Sequence, residues 1–305
     1  MKATIAGAPV SFGVFEMTPE GAETIAPDDM LAMLAEAGYS GVDLGPVGYF
    51  GRSADLQARL RRHGLELAGG WVQLPLSDDE AFEAALPTLH DALRAFSEAA
   101  ELGPARLPLP TLADDGSGAR RAAPGRGAEV DPLADAAWAR LLTNTERAAS
   151  IVRTAGFEPT FHHHAGTFVE SPAEIDRFLA NVDVDLTLDT GHLFIAGGDP
   201  LDAVRRWGDR INHLHLKDVD LAELQGVLGE GGGMTEVWSS GSFVALGHGD
   251  IDLAAVMDAV DERGFDGWVV VEQDVLNGPD VSLAQFRAAR EADQIVSRDA
   301  LRAWV

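Results

Sequence analysis

The stretch DLTLDTGHLFIAGGDPLDAVRRWGDRINHLHLK (residues 185–217) contains the repeating unit of this chain. An apolar run at Asp185–Asp189 is followed by an amphipathic pattern at Pro200–Trp207 and a second apolar run at Ile211–Lys217. This order predicts a strand, a helix and another strand. Because consecutive strands joined through a helix run parallel, the unit predicts a parallel sheet covered by helices.

The same alternation recurs along the whole chain. The predicted strands are Thr4–Pro9, Gly41–Gly45, Leu65–Val72, Ala105–Leu109, Pro159–His163, Asp185–Asp189, Ile211–Lys217 and Trp268–Gln273. The predicted helices are Pro27–Ala37, Ser53–His63, Asp79–Leu102, Asp131–Ala155, Pro172–Ala180, Pro200–Trp207, Asp252–Gly264 and Val281–Ala303. Eight such units favour an α/β fold closed as a (β/α)8 TIM barrel. An open doubly wound sheet is the alternative, but no Gly-x-Gly-x-x-Gly follows the first strand.

The length of the chain and the absence of an evident linker predict a single domain that spans residues 1–305. Two segments break the rhythm and are expected to form long loops, at about 111–130 and 220–245. The first contains the Gly/Ala/Arg-rich stretch Asp114–Glu129, and the second contains Gln225–Phe243 with its three consecutive glycines. Both follow a predicted strand, on the side where barrel loops form the active-site mouth. The alternative interpretation is that both segments are flexible insertions without a role in an active site.

Charge and composition narrow the class of protein. The chain has 23 Lys+Arg and 49 Asp+Glu, a formal charge of −26, which disfavours nucleic-acid and anionic-membrane partners. No apolar run is long enough for a membrane span, and the Met1–Ala3 start is not typical of a signal peptide. The absence of cysteine excludes disulfides, thiolate metal sites and cysteine nucleophiles. These features predict a soluble, cytoplasmic globular protein.

Seven of the nine histidines lie between His162 and His248, mostly at predicted strand ends. In Phe161–Thr167, strand alternation places His162 and His164 on one face, where they could bind a metal or a substrate hydroxyl. A surface histidine tract is the alternative. In Leu186–His192, Asp189 ends a buried strand and Gly191 allows a tight turn that returns His192 over the opening. A helix N-cap is the alternative role for Asp189.

Two later strands add further ionisable groups. In Ile211–Asp218, His213, His215 and Lys217 share one face, although His213 alone could be a core histidine. In Trp268–Asp274, Glu272 ends an apolar strand. A carboxylate in that position could serve as a metal ligand or a general base, and an ion pair with Lys217 is the alternative.

Together, Asp189, His215 and Glu272 come from the ends of three consecutive strands, and His162 from the strand before them could complete a metal site. Oxygen and imidazole ligands without sulfur suit a divalent ion: Mn²⁺, Co²⁺, Mg²⁺ or Fe²⁺, with Zn²⁺ also compatible.

At these residues the sequence resembles the xylose-isomerase-like barrel superfamily and, within it, the inosose (2-keto-myo-inositol) dehydratases. The strings that carry the resemblance are Ala6–Gly13, Asp43–Pro46 with Gly48-Tyr49, the four clusters above and Leu246–Asp252. The resemblance implies a divalent ion, most favourably Mn²⁺ or Co²⁺, held by Asp189, His215 and Glu272. His162 takes the position of the Glu that the superfamily has on strand five. Asp43 stands where those dehydratases tend to have Glu, and is expected to bind substrate together with His213. Homo-oligomers are usual in this family.

The implied chemistry is dehydration of a keto-polyol. The ion acts as a Lewis acid and stabilises the enolate that forms when the α-proton leaves. Lys217, His164 and His192 are the candidate bases, and we expect the nearby ion to lower the pKa of Lys217. Phe12, Tyr49 and Trp71 are expected to shape the pocket, although lone aromatic residues also serve as core.

Four other functions stay open. The same enolate chemistry serves a ketose or inosose epimerase or isomerase, or a lyase of 3-keto-glycosides. A metal-dependent DNA-repair endonuclease shares this barrel, but the charge of −26 argues against it. A non-catalytic sugar-binding module is the last alternative.

Overall fold

The computed structural model of the chain describes residues 3–18, 22–278 and 280–305. In chain order its strands are β1 Thr4–Gly7, β2 Gly41–Val42, β3 Glu66–Leu67, β4 Gly69–Leu74, β5 Leu109–Asp114, β6 Thr160–His162, β7 Asp185–Asp189, β8 Ile211–Leu216, β9 Asp218–Val219, β10 Phe243–Val244 and β11 Trp268–Val271. The helices are α1 Pro27–Glu36, α2 Ala54–His63, α3 Asp79–Ala100, α4 Gly118–Arg121, α5 Gly127–Val130, α6 Asp135–Thr154, α7 Pro172–Leu179, α8 Thr190–Ile195, α9 Pro200–Trp207, α10 Leu221–Gly229, α11 Met234–Ser240, α12 Leu253–Glu262 and α13 Leu283–Ala300. Short 3₁₀ turns lie at Pro9–Phe12 and Gly208–Arg210.

The main sheet is parallel throughout, in the order β3-β2-β1-β11-β8-β7-β6-β5-β4. The two outer members, β3 and β4, are halves of one strand interrupted at Ala68. Ala68 donates its N–H to Val42 O and accepts from the N–H of Leu109, so it is bonded to strands on both sides. The sheet therefore closes, and the predicted (β/α)8 barrel is confirmed.

The barrel interior has its own small apolar core. Ala6, Ala8, Ala68, Trp268 and Val270 pack together there, apart from the larger core between strands and helices. The indole of Trp268 lies so close to Gly41 that a Cβ at that position would be 2.6 Å from the ring. The large Trp268 side chain of β11 therefore fits inside the barrel because the neighbouring strands β1 and β2 present small residues to it, such as Ala6 and Gly41.

The helix predictions agree closely with the structure, since their boundaries carry capping residues. Ser171 and Glu174 form a reciprocal capping box at the start of α7, and Gly64 ends α2 in the left-handed conformation with φ 66°. Among the residues that the structure describes, no helix is long and apolar enough to cross a membrane.

The fourth predicted strand is wrong in position. Ala105–Leu109 was expected, but β5 runs over Leu109–Asp114 and pairs residue by residue with Gly69–Leu74. Leu107, inside the predicted strand, is half exposed. Pro110 lies inside β5 although it has no N–H to donate, and a proline at that point interrupts the usual strand pattern.

The two expected long loops do connect a barrel strand to its following helix, but the structure builds them from short helices. The first contains α4 and α5, and the second contains α10 and α11. The second segment also begins and ends in an antiparallel ribbon, in which β9 pairs with β10. The glycine-rich composition therefore reflects turns between short helices, with irregular chain confined to the connections.

Candidate active site

Four buried side chains meet at the carboxyl ends of the barrel strands. His162 is the last residue of β6, Asp189 is the last residue of β7, His215 lies in β8, and Glu272 directly follows β11. One ligand atom from each lies within 4.8 Å of the others. His162 Nε2 is 3.3 Å from Asp189 Oδ2, and His215 Nδ1 is 2.9 Å from Glu272 Oε2. The structure therefore brings together all four residues predicted to hold a metal.

This group fits a divalent ion. It offers two imidazoles and two carboxylates, the mixed nitrogen and oxygen set that Mn²⁺, Co²⁺, Fe²⁺ and Zn²⁺ accept. The Nδ1 of His162 is buried without a hydrogen-bond partner among the described residues. The carboxylates of Asp189 and Glu272 lie close enough to share one cation, and the Lys217 ammonium contacts both of them.

Both carboxylates also make the alternative contacts raised from the sequence. Asp189 Oδ1 accepts the N–H of His192 at 2.8 Å and so caps α8, while its Oδ2 faces the ligand group. Glu272 pairs with the ammonium of Lys217, which also lies 2.5 Å from Asp189 Oδ2. Each carboxylate has two oxygens, so capping or pairing does not exclude metal binding.

The electrostatics of the group follow from burial and close pairing. Burial alone raises the pKa of Asp189 and of Glu272, but nearby Lys217 and histidines outweigh it, and both pKa values lie below their ordinary range. Burial alone lowers the pKa of the Lys217 ammonium, but Asp189, Asp274 and Glu272 outweigh it, and its pKa is raised. Three carboxylates thus surround the ammonium, and the lowering of the Lys217 pKa that we expect from a bound ion stays a prediction.

A second group of ionisable side chains lies beside the first. It consists of His164, His192 and Asp274, whose nearest ligand atoms are also within 4.8 Å of one another. The two imidazole rings face each other with centroids 3.5 Å apart, and His192 Nε2 is 3.1 Å from Asp274 Oδ2. Burial lowers the pKa of His164 to about 3, and that of His192 also lies well below its ordinary value, so both rings are neutral at neutral pH.

Both groups open into one cavity of about 280 Å³. Asp43 and Trp71 line it, as predicted for substrate-binding residues. The Trp71 ring meets the rings of His162 and His164 edge to face, at centroid distances of 5.1 and 5.2 Å. Asp43 Oδ2 lies 4.0 Å from His215 Nε2, and burial raises the pKa of Asp43 to about 7.

Three residues that we predicted to bind substrate do not line this cavity within the described part of the chain. Phe12 is buried in the hydrophobic core. Tyr49 packs on Phe50 and donates its hydroxyl to the carbonyl of Ile25. His213 lies deeper in the barrel, edge to face with His215 and close to Gly69, as in its alternative role of core histidine.

Sequence reasoning missed four carboxylates of the cavity, which are Glu16, Asp114, Asp115 and Asp274. Asp114 ends β5, where burial raises its pKa to about 7, and its Oδ1 is buried without a hydrogen-bond partner among the described residues. The signal was present, because Thr111–Asp114 repeats the pattern of Thr187–Asp189, an apolar strand ending in Asp. Asp274 follows Glu272 by two residues, on the same side of the extended chain.

A buried network of hydrogen bonds and an ion pair holds the segment after β5, the first of the two expected long loops, over the cavity. The Glu170 carboxylate accepts the N–H groups of Gly125, Gly127 and Gly166. Arg120, fully buried, donates to the Thr167 carbonyl and pairs with Glu174 at 2.8 Å. The segment after β5 is thus tied to the segment after β6, and both contribute residues to the cavity wall.

A closed parallel barrel with ionisable groups at its carboxyl rim defines the TIM-barrel class of enzymes. Residues 31–293 match the family described as xylose isomerase-like TIM barrel. The chain belongs to the xylose isomerase-like TIM-barrel family, which confirms the resemblance seen in the sequence.

Known proteins similar to this chain include both sequence relatives and structural neighbours. Inosose dehydratase from Geobacillus kaustophilus (strain HTA426) is 31% identical over 278 residues, covering 87% of this chain and 85% of that protein. The IOLI protein with a bound zinc atom has a TM-score of 0.69 at 13% identity, covering 99% of both chains. D-allulose 3-epimerase from Methylomonas sp., in complex with D-allulose, has a TM-score of 0.66 at 16% identity, covering 99% of this chain and 96% of that one.

Proposed function

We propose that this protein is a divalent-metal-dependent lyase that dehydrates a keto-polyol such as 2-keto-myo-inositol. The observation that carries the proposal is the buried group of His162, Asp189, His215 and Glu272 at a cavity, in a chain 31% identical to an inosose dehydratase. An ion held there would polarise the ketone oxygen and stabilise the negative charge that develops on it. Mn²⁺ and Co²⁺ are the ions we favour, with Mg²⁺, Fe²⁺ and Zn²⁺ as alternatives.

Among the three candidate bases, His164 is the best placed to take the α-proton. Its Nδ1 lies 2.7 Å from the Ala165 carbonyl, which fixes the proton on Nδ1 and leaves the lone pair on Nε2. It lines the cavity as a neutral imidazole. Lys217, held as an ammonium by three carboxylates, supplies positive charge near the ketone, and His192 is deeper and packs against His164.

Dehydration also requires a proton donor for the departing hydroxyl. We assign this step to Asp114, whose carboxyl lines the cavity and is protonated below about pH 7. Removal of the α-proton leaves an enolate, the β-carbon–oxygen bond then breaks, and the hydroxyl leaves as water with the proton of Asp114. Trp71 provides a flat apolar wall for the face of the ring.

The proposal is tested by metal analysis of the purified protein, followed by incubation with 2-keto-myo-inositol and measurement of enone absorbance. Asp189→Asn should lose both metal and enone formation. Asp185→Asn is the matched control, because Asp185 starts the same strand and pairs with Arg210 at the opposite end of the barrel. Stoichiometric metal retained in Asp189→Asn and Glu272→Gln would overturn the ligand assignment.

An epimerase or isomerase is the second candidate, because proton removal beside the ketone needs the same groups. Incubation in heavy water distinguishes the two reactions by NMR. Deuterium at the α-carbon without loss of water would indicate epimerisation, and release of an aglycone from a 3-keto-glycoside would indicate the third option.

Several further predictions from the sequence and from the family resemblance accompany this proposal. We propose a cytoplasmic location, assembly into homo-oligomers, a single domain and no nucleic-acid partner. Cell fractionation, light scattering, limited proteolysis and DNA-binding assays at several salt concentrations test them in turn.

A further inference from the structure

Lys217 is one of two lysines in the chain, the other being Lys2. Its side chain is buried and surrounded by three carboxylates. The ammonium lies 2.5 Å from Asp189 Oδ2, contacts Glu272 Oε2, and lies 3.3 Å from Asp274 Oδ1.

Two of these three carboxylates belong to the proposed metal-binding group, and Asp274 does not. Asp189 and Glu272 are therefore shared ligands of two cations, the Lys217 ammonium and the proposed divalent ion. Like charges repel strongly at such short range in a buried site, so both cannot contact the same two oxygens without loss of affinity.

We propose that Lys217 competes with the divalent ion for Asp189 and Glu272, and that Asp274 is a positioning residue that receives the ammonium when the ion binds. This inference rests on the ion site of the proposed function. It deepens that proposal by giving Asp274 a role in metal loading.

The geometry allows only the end of the lysine side chain to move. Thr190 Oγ1 donates to the Lys217 carbonyl and accepts the Lys217 N–H, which fixes the backbone. Gly191 lies against the stem, since a Cβ there would be 2.6 Å from Lys217 Cβ. The ammonium already lies 3.3 Å from Asp274 Oδ1, so release from Asp189 and Glu272 would leave it beside that carboxylate.

Asp274 is prepared to accept it. Its Oδ1 is buried and has no satisfied hydrogen bond among the described residues, although Lys217 is 3.3 Å away. Its Oδ2 faces His192 Nε2 at 3.1 Å, which orients the carboxylate. An open buried acceptor beside a cation is the partner that an ammonium leaving Asp189 requires.

The test is a thermodynamic cycle of Mn²⁺ affinity, measured by calorimetric titration of the full chain. Lys217→Met should bind Mn²⁺ at least about tenfold more tightly than the wild type, because the competitor is gone, and Asp274→Asn about tenfold more weakly. The double variant should return to within about threefold of Lys217→Met, since Asp274 acts only through the lysine.

The possible outcomes distinguish a failure of the proposed lysine competition from a failure of the proposed ion site. An unchanged Mn²⁺ affinity in Lys217→Met overturns the competition but leaves the ion site intact. A weakened affinity that persists in the double variant shows that Asp274 is itself a ligand, and also overturns it. Absence of Mn²⁺ binding in every protein overturns the ion site as well.

A measurement on the wild type covers the case in which a variant does not fold. Protein labelled with ¹³C at the lysine ε-carbons gives two lysine signals, which Lys2→Arg assigns. Saturation with diamagnetic Zn²⁺ should shift the Lys217 signal as the ammonium changes partners. A Lys217 signal that does not move while Zn²⁺ binds would contradict the proposal.

Discussion

Asp218, the residue after Lys217, offers the sharpest test of how the barrel rim is stabilised. Its buried carboxylate accepts four backbone N–H groups. Oδ1 accepts those of Val219 at 3.0 Å and Ile251 at 3.2 Å, and Oδ2 accepts those of Gly247 and Gly249, each at 2.9 Å. One side chain thus fixes the chain that leaves β10 against the end of β8.

The magnitude of the effect of Asp218→Ala follows from which bonds water can replace. The bonds to Gly247 and Gly249 are partly exposed, so water recovers most of their free energy. The bonds to Val219 and Ile251 are buried, and each lost bond to a charged acceptor is worth about 1.5–3 kcal/mol. We therefore expect the free energy of unfolding to fall by about 3–6 kcal/mol.

Urea denaturation followed by circular dichroism measures this loss. Asp220→Ala is the matched control, because Asp220 is a nearby half-buried N-cap whose side chain accepts the N–H of Glu223, and its loss should be about 1 kcal/mol. A loss below about 1.5 kcal/mol for Asp218→Ala, with an unchanged m-value, would refute the reasoning.

Three further predictions concern the cavity. Glu272→Gln keeps the shape of the side chain but removes the negative charge, so we expect loss of bound metal by elemental analysis and at least about a hundredfold loss of kcat. Because the acid form of Asp114 is present below its pKa of about 7 and is lost as the pH rises through it, kcat should fall above about pH 7. In Asp114→Asn this alkaline decline should disappear at a uniformly low kcat. Trp71→Leu removes the aromatic wall without touching a charge, and should raise KM about tenfold with a smaller change in kcat, as measured by steady-state kinetics.

Each of these has an outcome that would contradict it. Full metal content in Glu272→Gln would remove Glu272 from the ligand group. An alkaline decline that persists in Asp114→Asn would assign the titration to another group. An unchanged KM in Trp71→Leu would place the substrate away from that wall.

The closeness of His162, Asp189, His215 and Glu272 could be predicted from the sequence because it follows from strand periodicity. Asp189 and Glu272 each end an apolar run, and His215 alternates with leucines along β8. In a parallel barrel all such ends meet at one rim, so their proximity needs no knowledge of side-chain packing.

The errors arise where position depends on distant contacts. Tyr49 is held by the carbonyl of Ile25, and Phe12 is buried in the hydrophobic core. Neither contact leaves a periodic trace in the sequence. Asp114 was missed because Pro110 interrupts the sequence pattern of β5, the strand that Asp114 ends. The strand was therefore predicted too early in the chain, and Asp114 was not considered as a catalytic residue.

The pairing of β9 with β10 brings residues 218–219 beside residues 243–244. The intervening 220–242 segment, which includes Trp238 in the cavity wall, therefore leaves and rejoins the barrel at almost the same point. Its ends would not need to move if the whole piece were exchanged for that of another family member. Evolution or a protein engineer could thus replace this part of the cavity wall as a unit, while His162, Asp189, His215 and Glu272 at the ends of the barrel strands stayed as they are.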